Sequence, residues 1–193
     1  MSIERKLIVG AVAAAGALPG VALANVAEAP ADYSYDPLAA PPAVDEMVHP
    51  VSGVVGSQPG DCRPIGSCTR RHAGYDISNN NAYPVGASCK GTATVRYDSG
   101  GYGNYVDVQH NAGYMTRYAH LSDVTVHSGQ FVNQGDVIGH VGSTGASTGP
   151  HLHYEVRLNG TPLSLAGDYN RGAQITKGER MLKNFSDSLV CRA

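Results

Sequence analysis

The sequence predicts a mainly β protein with few helices, built on a small antiparallel sheet. Three observations favour this fold class. Glycine and proline are abundant, at 24 and 11 of 193 residues, and both disfavour the interior of a helix. Short runs that alternate apolar and polar residues recur between glycine-bearing turns, as in half-buried strands. No internal repeat and no β-α-β alternation is visible, which argues against a parallel α/β sheet.

Five runs are predicted to form strands: residues 51–55, 92–97, 105–110, 114–120 and 152–158. Residues 98–101 and 111–113 separate successive runs, and their glycines can adopt the positive φ that reverses a chain, so two hairpins are expected. Only residues 173–185 show a helix-like spacing of apolar side chains, and Gly178 weakens that interpretation.

Residues 1–24 have the features of a secretory signal: a basic start, an apolar run over 7–23, and a small-residue end. The run contains Pro19 and is shorter than the roughly 20 residues that span a bilayer, which argues against an uncleaved anchor. We therefore expect a secreted or periplasmic protein that is not stably inserted in a membrane.

Residues 25–47 are rich in alanine and proline, acidic and without a basic residue, which predicts an extended linker before a domain at 48–193. The whole chain carries 14 Lys and Arg against 16 Asp and Glu. This balance excludes a nucleic-acid-binding protein that relies on a strongly basic surface. We expect a monomer.

Four cysteines follow the signal: Cys62, Cys68, Cys89 and Cys191. An even number in an exported protein predicts two disulfides. Cys62 and Cys68 flank a short turn-like stretch, so this local pairing is favoured and leaves Cys89 for Cys191. A structural zinc site built from the thiolates is the alternative, but no two of them form a C-x-x-C pair.

Three local patterns contain four of the eight histidines: H-x-x-x-D at 72–76, Tyr-Ala-His-Leu at 118–121, and His-Leu-His at 151–153. On a strand, His151 and His153 point to one face with their Cα atoms about 6.5 Å apart. His72 and Asp76 would be about 13 Å apart on a continuous strand, so they can share an ion only if the chain bends. Gly74 permits that bend.

Further motifs accompany these histidines in order. They are H-x-G-x-D at 72–76, Gly-Tyr-Gly-Asn-Tyr-Val at 101–106, Tyr-Ala-His-Leu at 118–121, a glycine-bounded segment at 129–142, and a stretch from Gly-Ser-Thr-Gly to His-Leu-His-Tyr-Glu at 142–155. Over residues 48–163 the chain resembles the lysostaphin-type, LytM-like zinc metallopeptidases that cut peptidoglycan cross-links. The resemblance implies a small, sandwich-like antiparallel β domain.

The resemblance also implies a set of site residues. His72, Asp76 and His153 would bind one Zn²⁺ per chain, while His120 and His151 would take part in catalysis. Two imidazoles and one carboxylate leave an open coordination position, as hydrolytic zinc sites require. We assign His151 as general base, and His120 to stabilising the tetrahedral intermediate or sharing proton transfer.

The remaining polar residues near these motifs have simpler interpretations. Glu155 is expected to orient a ligand imidazole or a neighbouring backbone group. The Gly-Ser-Thr-Gly stretch before His151 lacks the Gly-Lys-Ser/Thr ending of a phosphate loop and is interpreted as a cleft wall. The other four histidines are interpreted as surface or hydrogen-bonded core residues: His49, His110, His127 and His140.

Two segments depart from the family pattern. Residues 57–71 immediately precede His72, so we expect them to rim the cleft and to influence substrate choice. Residues 168–193 form a basic C-terminal extension. Three interpretations are open for it: a tethered cap, a contact for anionic wall polymer, or a solvated charged surface.

The sequence therefore predicts a secreted zinc metalloendopeptidase that acts on peptide cross-links or stem peptides of peptidoglycan. One alternative is a non-catalytic wall-binding or amidase-activating module of the same fold, which typically lacks zinc ligands. The other is a protease for glycine-rich proteins. All five key residues are present, which favours the enzyme; the bond cut is left open between a glycyl bridge and a D-Ala cross-link.

Overall fold

The structure is a computed structural model that describes residues 46–63, 69–80, 82–181 and 191. The predicted signal and nearly all of the predicted linker lie outside these residues. Among them, the elements in chain order are β1 (Gly53–Val55), β2 (Cys62–Arg63), β3 (Arg70–Arg71), β4 (Tyr75–Ser78), β5 (Pro84–Gly86), β6 (Gly91–Asp98), β7 (Gly103–Gln109), a 3-10 turn (Asn111–Gly113), β8 (Tyr114–Leu121), β9 (Asp123–Val124), β10 (Phe131–Val132), β11 (Val137–His140), β12 (His151–Leu158), β13 (Thr161–Pro162) and β14 (Gln174–Ile175).

The main sheet has the strand order β10-β6-β7-β8-β12-β4-β1-β14, with β13 paired to β12. A three-stranded sheet (β5-β11-β9) and a two-stranded ribbon (β2-β3) accompany it. Neighbouring strands are antiparallel. The predicted fold class is confirmed, and the described residues contain no helix long and apolar enough to cross a membrane.

Both predicted hairpins are present, joining β6 to β7 and β7 to β8. Gly113 in the second turn has a φ of 79°, as its place in the predicted turn requires. In the first hairpin the positive φ lies instead at Gly103 (65°), the first residue of β7.

Strand β12 lies between β4 and β8 and presents a different chemistry on each face. Alternate residues of a strand point to opposite sides. Leu152, Tyr154 and Val156 lie in the core, each at most 1% exposed. His151 and His153 lie on the opposite face, which lines a cleft. The strand that closes the core therefore also carries the candidate site.

The core contains several tyrosines whose hydroxyl groups find partners. Tyr118 is fully buried, and its hydroxyl accepts a hydrogen bond from the Ser88 amide at 2.8 Å. The Tyr75 hydroxyl accepts one from the Leu165 amide at 2.7 Å. Because a buried hydroxyl without a partner destabilises the folded state, these bonds explain how a core without tryptophan can rely on tyrosine.

The helix predicted over 173–185 is wrong in its described part. Gln174–Ile175 form β14, which pairs with β1, and Gly178 has a φ of 84°, outside the helical region. Ile175 and Met181 are buried, but they reach the core from a strand and a turn rather than from one helical face. Residues 182–190 lie outside the described part of the chain.

The ends of the domain are packed more closely than their composition indicates. Met47, which composition assigns to the linker, is 2% exposed and accepts a backbone hydrogen bond from Met181. Tyr169, in the predicted C-terminal extension, is fully buried. The extension therefore contributes to the core and is not only a solvated surface.

The predicted disulfide between Cys89 and Cys191 is confirmed, with the two Cα atoms 5.4 Å apart across 102 residues of sequence. Cys62 is disulfide-bonded as well. Its predicted partner, Cys68, lies outside the described residues.

Candidate active site

A cleft of about 640 Å³ lies where β4, β8 and β12 adjoin. The register between β12 and β4 sets His153 directly opposite Asp76. His72 precedes β4 by three residues, His151 begins β12, and His120 lies near the end of β8. The structure therefore brings all five residues predicted from the sequence to the lining of one cleft.

Three of these residues point their ligand-type atoms at one another. His72 Nε2 lies 2.9 Å from His153 Nδ1, and Asp76 Oδ1 lies 3.0 Å from the former and 3.1 Å from the latter. In a tetrahedral zinc site with bonds near 2.0 Å, donor atoms are about 3.3 Å apart. His72, Asp76 and His153 are a group that could hold a metal ion.

Hydrogen bonds behind the two imidazoles determine which nitrogen faces the cleft. His72 Nδ1 lies 3.2 Å from the Gln58 carbonyl oxygen, and His153 Nε2 lies 2.8 Å from Glu155 Oε1. Oxygens of these types only accept, so each of these nitrogens carries a proton. In the neutral rings that a metal ion requires, the opposite nitrogens, which face Asp76, present lone pairs. Two lone pairs and a carboxylate oxygen thus converge on one point, an arrangement that a cation stabilises.

The two carboxylates at the site are held in their ionised forms. Burial alone would raise the pKa of Asp76, but the neighbouring His153 and His72 imidazoles lower it well below its usual range. Burial also acts to raise the pKa of Glu155, yet His153, Tyr102 and Arg157 hold it at about 2. Both groups therefore remain anionic at neutral pH.

His151 and His120 stand beside this group with their Nδ1 atoms bound to backbone carbonyls. His151 Nδ1 donates to Gly149 O and His120 Nδ1 donates to Thr144 O, both at 2.8 Å. The rings lie 4.7 Å apart between centroids, and His151 Nε2 is 3.6 Å from Asp76 Oδ1. In its neutral form, each ring presents Nε2 as a proton acceptor.

The backbone at His120 is in the left-handed region, with a φ of 63°. Regular alternation along β8 would point His120 to the same side as the buried Tyr118. Instead His120 lines the cleft, and its amide donates to the Tyr102 carbonyl at 2.8 Å. A non-glycine residue in this conformation is strained, and such strain clusters at functional sites. Burial lowers the pKa of His120 to about 4, so the ring is neutral at pH 7.

Sequence reasoning missed Tyr102, although it lies in a quoted motif. Its hydroxyl donates to Glu155 Oε1 at 2.8 Å. The Arg117 guanidinium lies 4.5 Å from the centre of the Tyr102 ring and is held by both oxygens of Asp107 at 2.7 and 2.9 Å. Tyr102 thus holds the same Glu155 oxygen that His153 Nε2 meets, and the expectation that Glu155 orients an imidazole agrees with this geometry.

Arg63 was also missed. Its Nη2 donates to Asp76 Oδ2 at 2.9 Å, opposite the oxygen that faces the two imidazoles. It lies on β2, in the segment predicted to rim the cleft, and it does line the cleft. No local pattern in the sequence marks it.

Comparison with known proteins identifies the family. Residues 70–165 match the sequence profile of peptidase family M23. The fold resembles the catalytic domain of the antimicrobial peptidase lysostaphin from Staphylococcus simulans, with 34% identity, a TM-score of 0.52, and coverage of 57% of this chain and 86% of that one. The chain belongs to peptidase family M23. Another similar structure is that of a zinc-containing peptidase from Vibrio cholerae, with 34% identity, a TM-score of 0.56, and coverage of 62% of this chain and 39% of that one.

Two curated relatives of this M23 chain carry functional names. The DD-carboxypeptidase/endopeptidase Mpg of Neisseria meningitidis is 41% identical over 133 residues, 67% of this chain and 31% of the relative. The peptidoglycan DD-endopeptidase ShyA of Vibrio cholerae is 42% identical over 107 residues, 54% of this chain and 25% of the relative. The chain thus spans a third or less of the length of these relatives.

Proposed function

We propose that this M23 domain is an exported zinc metalloendopeptidase that hydrolyses peptide cross-links or stem peptides of bacterial peptidoglycan. The observation that carries the proposal is the convergence of lone pairs from His72 and His153 on the Asp76 carboxylate, beside two further imidazoles with free Nε2 atoms. His72, Asp76 and His153 are proposed to hold one Zn²⁺, and His120 and His151 to transfer protons.

The names of the relatives support the substrate class. ShyA is named for peptidoglycan and for DD-endopeptidase activity, and Mpg for DD-carboxypeptidase and endopeptidase activity. Both names favour a bond between two D-residues over a glycyl bridge. Export is supported by the signal-like residues 1–24, because the proposed substrate lies outside the cytoplasm.

The side chains supply proton transfer around the scissile bond. Zn²⁺ held by the three donors would supply a bound water of lowered pKa and a Lewis acid for the carbonyl. His151 accepts a proton at Nε2 and returns it to the leaving amine, while its Nδ1–H bond to Gly149 keeps the ring from turning. His120 is an acceptor in its neutral form, so it donates to an oxyanion only after taking up a proton. This geometry favours shared proton transfer for His120.

The two alternative functions, a non-catalytic module and a protease for glycine-rich proteins, predict a different site or a different substrate. A non-catalytic module of this fold has no use for three residues with converging donor atoms and two oriented histidines, all of which line the cleft of this chain. A protease for glycine-rich proteins would use the same catalytic residues on another substrate. The enzyme on peptidoglycan is therefore favoured over the first alternative by the site, and over the second by the names of the relatives.

The experiment is digestion of purified peptidoglycan of several cross-link types, followed by mass analysis of the released fragments. The zinc-loaded chain should convert D,D-cross-linked dimers to monomers. His151→Ala should release about 10²- to 10⁴-fold less, the usual contribution of a positioned general base. His127→Ala is the matched control, because the His127 side chain is exposed and, among the described residues, its ring bonds only the neighbouring Ser128 carbonyl. Equal release by His151→Ala, or cleavage of glycine-rich proteins alone, would contradict the proposal.

A further inference from the structure

The ribbon β2-β3 places two arginines side by side at the cleft. Its register sets Arg63 directly opposite Arg70, and residues opposite each other in an antiparallel pair point to the same face, with Cβ atoms about 5 Å apart. Both arginines line the cleft. Like charges in this position destabilise a strand pair, so the arrangement has no structural benefit of its own.

The carboxylates near the ribbon do not neutralise this pair. Arg63 makes one ion pair, through Nη2 to Asp76, and Arg70 makes none within the described residues. Asp61 is engaged by Arg171, with both carboxylate oxygens within 2.9 Å of Nη2. Asp76 is the only carboxylate among the described residues that line the cleft, and its Oδ1 faces the two imidazoles. The cleft wall therefore carries an excess of positive charge beside the candidate metal site.

The ribbon is also held in place. Cys62 is disulfide-bonded, and the Thr69 hydroxyl donates to the Arg63 carbonyl at 3.1 Å. Arg71 Nη1 donates to the Gly60 carbonyl at 2.8 Å. A ribbon fixed in this way loses little backbone freedom when a ligand binds.

We propose that Arg63 and Arg70 form a subsite for a free carboxylate of the substrate peptide, close to the scissile bond. The inference rests on the proposed peptidoglycan peptidase function for the identity of the peptide. The planar guanidinium matches a carboxylate through two parallel hydrogen bonds. Because Arg63 touches Asp76 itself, the bound carboxylate belongs to a residue next to the cleaved bond or one further along. It is either the terminal carboxylate of a stem peptide or one within the stem; both present the same chemistry.

The test compares substrates that differ only in this charge. Cross-linked muropeptides are prepared with all carboxylates free, with the internal carboxylates amidated, or with the terminal one amidated. The zinc-loaded full chain should cleave the free acid with a kcat/KM about 10- to 100-fold higher than the amide that lacks the recognised group, the range of a charge-assisted hydrogen bond. Whichever amide is disfavoured identifies the carboxylate.

The variants then assign the preference to the two arginines. Arg70→Gln and the double variant Arg63→Gln/Arg70→Gln should reduce the preference, the double variant to less than about threefold, because both guanidinium forks are gone. Zinc content is measured for each, since Arg63 contacts Asp76 and Arg70 does not. Arg180→Gln is the charge-matched control: Arg180 is exposed, pairs with Glu46 and does not line the cleft. It should keep the full preference.

A binding measurement separates this inference from the proposed function. Calorimetric titration of the same peptides into zinc-loaded His151→Ala, which should bind without turnover, gives their dissociation constants. Tighter binding of the free acid, lost in the arginine variants, supports the subsite even if the chain cleaves no peptidoglycan. Equal binding and equal kcat/KM for acid and amide would overturn it, as would a preference that survives in the double variant.

Discussion

Nε2 of His153 lies 2.8 Å from Oε1 of Glu155, two residues further along the same strand. Glu155 is 1% exposed and also accepts hydrogen bonds from Tyr102 and Arg157. The burial of an anion is unfavourable unless it is paired and hydrogen-bonded, and here the pairing has a consequence. It fixes the tautomer of His153 that turns Nδ1 toward Asp76 and His72.

Loss of the Glu155 charge should weaken metal binding. In Glu155→Gln, the side chain keeps its shape and an acceptor oxygen but loses its negative charge, so it stabilises the Nε2–H of His153 less and the basicity of Nδ1 falls. We expect a decrease in zinc affinity of about 10- to 100-fold, the usual effect of removing such a partner. Competition with a chromophoric chelator measures it.

The matched control for this change is Glu179→Gln, which makes the same substitution at an exposed position outside the cleft. Its zinc affinity should equal that of the unmodified chain. An unchanged affinity in Glu155→Gln would show that Glu155 serves only to neutralise Arg157.

Metal content should divide the five cleft residues into two classes. His72→Ala, Asp76→Ala and His153→Ala each remove one of three converging donors, so each should lose most of its zinc. His120→Ala and His151→Ala should retain about one zinc per chain. Elemental analysis of the purified variants decides this, and full zinc in any of the first three removes that residue from the ligand set.

At Gly74 the atoms of strand β12 approach the backbone so closely that no side chain fits, in addition to the bend that glycine permits. A Cβ at this position would lie 2.6 Å from the Tyr154 carbonyl oxygen, 2.7 Å from Glu155 Cγ and 2.8 Å from His153 Nε2. Gly74→Ala should therefore lower the free energy of unfolding by about 1–3 kcal/mol, as overpacking does, and weaken zinc binding by displacing the His153–Glu155 pair. Denaturant unfolding and chelator competition report the two effects.

The comparison for that variant is Gly100→Ala in the β6-β7 turn. A Cβ there meets only Asp98 Oδ1, at the ordinary contact distance of 3.9 Å. Its stability should change by less than about 0.5 kcal/mol, as for most surface substitutions. Equal stability and zinc affinity in both variants would mean that the strands move apart around Gly74 without effect on the site.

The disulfide between Cys89 and Cys191 should contribute strongly to stability. It closes a loop of 102 residues, and the chain-entropy model gives about 4–5 kcal/mol for a loop of this length. Cys191→Ala should lower the free energy of unfolding by about 2–5 kcal/mol. Guanidinium unfolding under non-reducing conditions measures the loss, and a change below about 1 kcal/mol would show that the bond leaves the unfolded chain largely unconstrained.

The parts of the fold predicted from sequence are those with long local patterns. The strands around 92–97, 105–110, 114–120 and 152–158 alternate over several residues and were found. β4 has only four residues, too few for a period of two to stand out beside the motif that contains it. The apolar spacing near Ile175 and Met181 resembled a helix by chance, since the two side chains reach the core from separate elements.

The residues of the candidate site also fall into those that a local sequence pattern marks and those that it does not. The candidate metal-ligand set was predicted from motifs, whereas Tyr102 and Arg63 make contacts that no local pattern encodes. Tyr102 reaches Glu155 across 53 residues of sequence, and Arg63 reaches Asp76 across 13. The orientation of His120 depends on a left-handed φ, which strand alternation does not predict.

His110 should make the stability of the domain depend on pH. It is 7% exposed, lies outside the cleft, and bonds Lys90 O at 2.7 Å and Thr116 Oγ1 at 2.8 Å. Burial lowers its pKa from 6.5 to about 4. Between pH 6.5 and pH 4 the unfolded chain therefore binds a proton at His110 that the folded chain does not bind. The stability that neutral His110 contributes to the folded state is complete above pH 6.5 and is lost as the pH falls toward 4. The free energy of unfolding should fall by about 3 kcal/mol through this group. Urea unfolding between pH 7 and pH 4.5 measures this effect. The free energy of unfolding should fall less steeply with pH in His110→Gln, where the other histidines are unchanged, than in the unmodified chain. Parallel curves for the two proteins would show that His110 takes up its proton within the fold.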